Sequence, residues 1–277
     1  MSNQAHAGFP PWLVQQALAA SAAHAGRGLR VFGICGLQGS GKSTLAAQLV
    51  AAARQAGLAA ASVSLDDFYL TAAQRRRLAR DVHPLLAIRG PPGTHDLDLA
   101  LETFDALRRG HTPPLPRFDK LGDDRLAPER WTRPSAPLDL LVFEGWCLGV
   151  PAEAEDAMRE PLNPLEREED PDGRWRRGCN TALARDYPPL WAQVDVLWFL
   201  QPPGFETVHA WRGEQERALQ AAHPGHTGMD DAALDRFIQH YERVSRQALR
   251  TMPGIADACV ALDSERQPLH VRLRQPG

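Results

Sequence analysis

The sequence predicts an α/β fold: a parallel sheet of about five strands with helices on both faces. Two observations carry this. The runs LDLLVFE (138–144) and VDVLWFL (194–200) are almost wholly apolar, as strands must be when both faces are covered. These and similar runs alternate along the chain with segments of helical periodicity, the order that strand–helix–strand crossovers produce.

Taken in order, residues 11–24 (PWLVQQALAASAAH) read as an opening helix with Pro11 in its first turn, inside an N-terminal helical extension over 1–28. LRVFGIC (29–35) is a compact apolar strand. Residues 42–56 are helical and alanine-rich, and Gly57 is placed as a stop. LAAASVSL (58–65) is a second strand. Residues 97–109 carry Leu97, Leu101, Phe104 and Leu107 on one face and end in Arg108, Arg109 and Gly110, basic residues and a glycine that suit a helix C-terminus. The two apolar runs already quoted are the third and fourth strands. Residues 230–250 hold Leu234, Phe237, Ile238, Tyr241, Val244 and Ala248 at helical spacing, with Asp230 as N-cap. ADACVALD (256–263) closes the sheet. Two segments interrupt the alternation: the proline-rich, charged 111–137, and 151–189, where Glu166, Glu168, Glu169, Asp170 and Asp172 precede Arg174, Arg176 and Arg177. Such charge runs read as solvated loops.

The bulk properties fit one domain over 1–277, with a lid over 205–228. The chain is 43% hydrophobic and 23% charged, ordinary for a globular enzyme. A net charge of −3 argues against a nucleic-acid partner held by bulk positive charge. Cys35, Cys147, Cys179 and Cys259 are widely spaced with no CxxC pair and read as reduced thiols. No signal peptide or apolar run of membrane-spanning length is evident, so the expectation is a cytoplasmic protein with no membrane partner.

The stretch GLQGSGKST (36–44) specifies the version of the fold. Gly36 to Ser43 fit GxxxxGK[ST], with a strand before and a helix after: the P-loop NTPase arrangement. Glycines at 36, 39 and 41 let the backbone approach phosphates closely, and successive N–H groups of Leu37, Gln38, Gly39, Ser40 and Gly41 with the helix start form an anion cradle. Lys42 supplies a mobile charge for the β- and γ-phosphates. Ser43 offers a hydroxyl to Mg²⁺, with Thr44 beside it. ATP and Mg²⁺ are the expected cofactors.

Further residues say what the nucleotide is for. SVSLDDFYLT (62–71) ends a strand in Asp66 and Asp67, at the carboxyl edge where such sheets bind ligands. An aspartate there can accept a hydroxyl proton as a phosphoryl group moves. LLVFEGW delivers a second strand-end acid, Glu144, as partner of the P-loop in holding Mg²⁺; Ser43, Glu144 and Asp66 are the expected metal set. RGPPGTHD (89–96) puts His95 in a rigid turn just before a helix, and RFDKLGDDR (117–125) gathers Arg117, Lys120 and Arg125 in one loop. Arg212 and Arg217 share a helix after the fourth strand, which could close over the phosphates.

In this order the motifs GLQGSGKST, SLDDFYLT, GTHDLDLAL, FDK with a following DDR, VFEGWCLG and WRGEQE resemble the P-loop D-glycerate 3-kinases and their kinase-like relatives, a group similar to uridine kinase, phosphoribulokinase and bacterial pantothenate kinase. The resemblance spans residues ~29 to 265. It implies Asp66 as catalytic base, Glu144 as metal-site acid and Arg212 as lid arginine. The expectation is therefore a kinase that passes the γ-phosphoryl of ATP to a small acceptor, D-glycerate first. Asp66, Lys42 and Arg212 would act on the reacting groups, and Asp67, Arg89, His95, Lys120 and Arg125 would bind the acceptor. Another hydroxyl acceptor, nucleoside or pantothenate-like, is the alternative within enzymes; an ATP-binding regulator is the alternative outside them. The guanine-reading NKxD and the LSGGQ of ABC ATPases are both absent from the sequence.

Overall fold

The computed structural model describes residues 8–23, 28–222 and 229–275. Its strands are β1 (Arg30–Gly36), β2 (Ala60–Ser64), β3 (Phe118–Asp119), β4 (Asp124–Arg125), β5 (Leu140–Gly145), β6 (Val196–Gln201), β7 (Ala258–Leu262) and β8 (Pro268–Leu273). Its helices are α1 (Pro11–Ala23), α2 (Lys42–Gln55), α3 (Ala72–Asp81), α4 (Leu97–Arg108), α5 (Pro164–Glu169), α6 (Arg174–Arg185), α7 (Pro188–Trp191), α8 (Thr207–Ala222) and α9 (Asp231–Ile255). The main sheet runs β2-β5-β1-β6-β7-β8. All five expected strands are present and pair in parallel; β8 adds an antiparallel edge that its polar, half-exposed sequence did not announce.

Strand alternation assigns each side chain to a layer. In β1, Phe32 and Ile34 join Leu45, Leu49 and Trp198 on the face covered by α1 and α2. Val31 and Cys35 point to the opposite face, with Phe143 of β5 and with Phe104, Tyr241 and Met252 of the α4 and α9 layer. In β5, Leu140 and Val142 take the first face and Leu141 and Phe143 the second. Every residue of β5 is buried, which is why its sequence carries no polar alternation. Asp230 caps α9 as expected, its carboxylate accepting the Ala233 N–H. No helix among the described residues is long and apolar enough to cross a membrane. The four cysteines are free and buried.

The expected lid over 205–228 falls on α8 up to Ala222; residues 223–228 lie outside the described residues.

The segment 151–189 differs from expectation. It is no solvated loop but holds α5, α6 and the start of α7; α5 packs on α9, Trp175 of α6 meets His240 of α9 edge-on, and α7 packs on α4. Glu166 and Asp170 are fully buried and Arg176 is 3% exposed. Asp170 accepts the backbone N–H groups of Trp175 and Arg176 and pairs with the Arg176 guanidinium at 3.0 Å. Arg243 of α9 reaches back to Glu166 at 2.6 Å and Glu153 at 3.2 Å. Only part of the charge run faces water; the rest is neutralised by partners that a local reading cannot see.

Removing one partner of a buried pair leaves an uncompensated charge. Arg176→Met is therefore expected to lower unfolding free energy by about 3–5 kcal/mol in urea titration, whereas Glu168→Gln, at an exposed position, should stay within about 0.5 kcal/mol of the parent.

Candidate active site

The loop between β1 and α2 is built for close backbone approach. Gly39 and Gly41 have φ of 80° and 90°, the left-handed region open to glycine. A Cβ on Gly36 would meet Ser40 Oγ at 2.7 Å and Leu200 Cβ at 3.0 Å. Helix α2 starts at Lys42 with no side-chain cap, so its first N–H groups have no side-chain acceptor. Among the described residues, the amide of Gln38 and the hydroxyl of Ser40 are buried without partners. Lys42 Nζ folds back onto the Leu37 carbonyl at 3.0 Å. The Ser43 hydroxyl donates to Glu144 Oε1 at 2.7 Å, across the gap from α2 to the end of β5. Thr44 follows on the first turn, half-buried.

Parallel register brings the acids to the same edge. Ile34 and Ser64 both stand opposite Glu144. After Ser64 the chain enters a 3₁₀ turn, Leu65–Phe68, closed by a capping box: Ser64 Oγ accepts the Asp66 N–H, and Asp67 accepts the Ser64 N–H. This turn separates the two aspartates by role. Asp66 accepts hydrogen bonds from Tyr69 Oη at 2.7 Å and Lys120 Nζ at 2.7 Å. Asp67 instead holds Ser64 N, Phe118 N and the Arg117 guanidinium. Both of its oxygens, expected to meet an acceptor, here fasten the 117–125 hairpin to the end of β2.

Burial alone would raise the Asp66 carboxyl, but Lys120, by charge and hydrogen bond, together with Tyr69 and Lys42, holds it well below the usual carboxylate range. Burial pushes Glu144 up, opposed by Lys42. Burial likewise pushes the Lys42 ammonium down, opposed by Glu144 and Asp66. Asp66 raises Lys120 above its ordinary value. Lys42, Ser43, Asp66, Glu144 and Lys120 therefore form one coupled group.

The remaining acceptor candidates are divided. Two of the expected cations already have carboxylate partners: Arg125 pairs with Asp96, the cap of α4, at 2.7 Å, and Arg89 pairs with Asp123, which also binds Arg75 at 2.9 Å. They brace the hairpin β3–β4 against the 89–96 turn. His95 is buried, stacked on Tyr69 with ring centroids 4.7 Å apart, and its Nδ1 lies 2.6 Å from Tyr187 Oη. Gly90, at φ 121°, sits where a Cβ would collide with Tyr241 Oη, whose hydroxyl donates to the Arg89 carbonyl. Arg212 does not reach the P-loop lysine's partners: it bonds Gln215 at 2.8 Å on its own helix and lies over the Phe237 ring. Tyr69, Tyr187 and Asp123 escaped the sequence reading. Tyr69 alone carried a signal, standing three residues after Asp66 in the same turn.

Residues 31–156 match the model of the phosphoribulokinase / uridine kinase family. The chain is 33% identical over 222 residues to an uncharacterized kinase, mug58, of Schizosaccharomyces pombe, covering 76% of this chain and 78% of that one. The chain belongs to the phosphoribulokinase/uridine kinase family. This family member is also 30% identical over 264 residues to the chloroplastic D-glycerate 3-kinase of Arabidopsis thaliana, covering 86% of its own length and 54%, about half, of the plant protein's. Its fold superposes on a D-glycerate 3-kinase from Cryptococcus neoformans var. grubii with a TM-score of 0.77, 27% identity and coverage of 95% and 97% of the two chains. As a kinase of this family it uses ATP and transfers a phosphoryl group to an alcohol group of a small molecule.

Two outcomes test the site. Lys42→Ala should abolish the rise in melting temperature that ATP produces, because the point charge for the β- and γ-phosphates is gone; an unchanged shift would show that ATP binds elsewhere. Burial pushes His95 from an ordinary 6.5 down to about 4. Between those values the unfolded chain binds the proton and the folded chain does not, so stability rises with pH across that window and is fully present above it. His95→Gln should flatten the urea-measured pH dependence from pH 4 to 6.5, by on the order of 3 kcal/mol across the window.

Proposed function

We propose that the chain is a D-glycerate kinase, passing the γ-phosphoryl of ATP to D-glycerate to give 3-phosphoglycerate, with Asp66 as the base that receives the hydroxyl proton. The observation that carries this reading is the Lys120–Asp66 contact at 2.7 Å, made by a lysine whose side chain is 61% exposed. A small acceptor that brings its own carboxylate offers Lys120 a competing partner. As the ammonium shifts to that carboxylate, Asp66 loses the charge that depresses its basicity, and it becomes a better proton acceptor only when an acid-bearing acceptor is present. Transfer of a phosphoryl group depends mainly on positioning and charge, so a modest base suffices. Tyr69 holds Asp66 in place through the second oxygen.

The donor chemistry also fits Mg²⁺. Ser43 Oγ and Glu144 Oε1 are hard oxygens 2.7 Å apart beside the phosphate cradle, and Mg²⁺ commonly takes one or two protein oxygens and completes its shell with water and phosphate. Ser43 and Glu144, with Asp66 in the same charged group, are the residues that would hold it. Bound there, the ion would neutralise charge between the β- and γ-phosphates. Lys42 and, on closure of α8, Arg212 would supply positive charge to the transferring group. In this reading residues 1–277 form one kinase domain with a lid over 205–228.

An ADP-release screen across hydroxy acids, nucleosides and pantothenate tests the assignment, with acceptor-free ATP hydrolysis as background. Glycerate-dependent turnover is expected. Asp66→Asn should keep ATP affinity and lose turnover by ~10²-fold or more, the usual worth of general-base catalysis. Lys120→Met should raise KM for glycerate by roughly tenfold while KM for ATP moves little. Turnover of a nucleoside or pantothenate in place of glycerate would overturn the acceptor, and no acceptor-dependent turnover at all would overturn the catalytic reading.

A further inference from the structure

Tyr187 lies in the segment whose sequence read as loop, and it belongs to no motif. It is fully buried. Its phenolic oxygen accepts the Gly93 N–H at 3.0 Å and lies 2.6 Å from His95 Nδ1; among the described residues it has no other hydrogen-bond partner. Counting hydrogens settles the direction of the second bond. A backbone N–H can only donate, so it uses the oxygen of Tyr187 as acceptor. The phenol's own hydrogen then needs an acceptor, and His95 Nδ1 is the one within reach. Nδ1 must carry a lone pair, and the proton of the neutral imidazole resides on Nε2. Burial favours that neutral ring. The Tyr69 stack and the edge-on Tyr187 ring, centroids 5.7 Å from the imidazole, fix its plane.

Among the described residues, Nε2 is buried and has no hydrogen-bond partner. A buried donor without an acceptor is costly and calls for an explanation. Its surroundings supply one. Tyr69, which stacks on this imidazole, gives its hydroxyl to Asp66, so the unpartnered N–H stands one aromatic ring away from the proposed base.

We propose that Tyr187 is a positioning residue that fixes His95 as the Nε2–H tautomer, and that this N–H donates to an acceptor oxygen other than the one phosphorylated. The inference rests on the hydroxy-acid reading and narrows it. Lys120, a cation, suits the acceptor's carboxylate; a neutral N–H suits a neutral oxygen, which in D-glycerate is the 2-hydroxyl. The site therefore selects acceptors with a hydroxyl next to the reacting one. A molecule without that oxygen leaves Nε2–H buried and unpaired, and is discriminated against for that reason.

Two measurements test this. In the ¹⁵N-histidine-labelled protein without ligands, His95 should show a pyridine-like Nδ1 and a protonated Nε2, and Tyr187→Phe should mix in the opposite tautomer. A protonated Nδ1 in the parent protein overturns the proposal, whatever the acceptor proves to be. In steady-state kinetics, glycerate should exceed 3-hydroxypropanoate, which keeps the carboxylate and the terminal hydroxyl but lacks the 2-hydroxyl, by roughly 10- to 100-fold in kcat/KM. His95→Ala and Tyr187→Phe should shrink that ratio to a few-fold through loss on glycerate alone, and His95→Gln, which retains an N–H donor, should restore part of it. A ratio unchanged in both His95→Ala and Tyr187→Phe overturns the contact. Turnover of neither compound by the parent enzyme overturns the glycerate reading and the 2-hydroxyl contact with it, while the tautomer measurement, which needs no acceptor, still decides the Tyr187–His95 assignment.

Discussion

The parallel pairing of β1 with β5, and of β5 with β2, is the constraint on which the site depends. Because the strands run the same way, their carboxyl ends emerge together. Register then places Glu144 opposite both Ile34 and Ser64. A phosphate cradle leaves the end of β1, one acid stands at the end of β5, and another follows two residues after β2. A one-residue slip of β5 against β1 would turn Glu144 to the opposite face, since strand side chains alternate faces. The apolar packing on both sides of β5 is what forbids the slip.

Charge at this edge is balanced by pairing rather than by exposure. Two carboxylates, Asp66 and Glu144, face two ammonium groups, Lys42 and Lys120, and each alters the protonation of the others. Ser43 ties Glu144 to the start of α2, and Tyr69 ties Asp66 to its own turn. Such a group is neutral enough to be buried without ligands, yet each cation can be drawn away by an anion with a better claim. A nucleotide triphosphate has that claim on Lys42; an acid-bearing acceptor would have it on Lys120.

Around this group the arginines do structural work. Arg117, Arg125 and Arg89 each hold an aspartate, and together they pin the hairpin β3–β4 and the 89–96 turn over the sheet edge. Elsewhere, Arg176 neutralises the buried Asp170, and Arg243 of α9 the buried Glu166. The same packing carries Tyr187 into contact with His95, so a segment remote from the P-loop sets the orientation of a group near the proposed base.

What the sequence determined by itself is the local and periodic part. Apolar runs too hydrophobic for a one-faced sheet gave the five parallel strands, and the glycine spacing of 36–44 with its flanks gave the phosphate loop, because both are set by backbone geometry within a few residues. Asp66 and Glu144 were legible because a polar residue ending an apolar strand marks the sheet edge. Tertiary structure alone decided which carboxylate each cation pairs with. Lys120, Arg125 and Arg89 look alike in sequence, yet Asp96 and Asp123 take up the two arginines, while Lys120 lies on Asp66. It also decided that Asp67, adjacent to Asp66, is a cap, and that the acidic run at 166–172 is partly core. Each of these depends on a partner dozens of residues away, and the strength of a charge or a hydrogen bond in a protein is set by burial and by that partner, neither of which is written in the local order of residues.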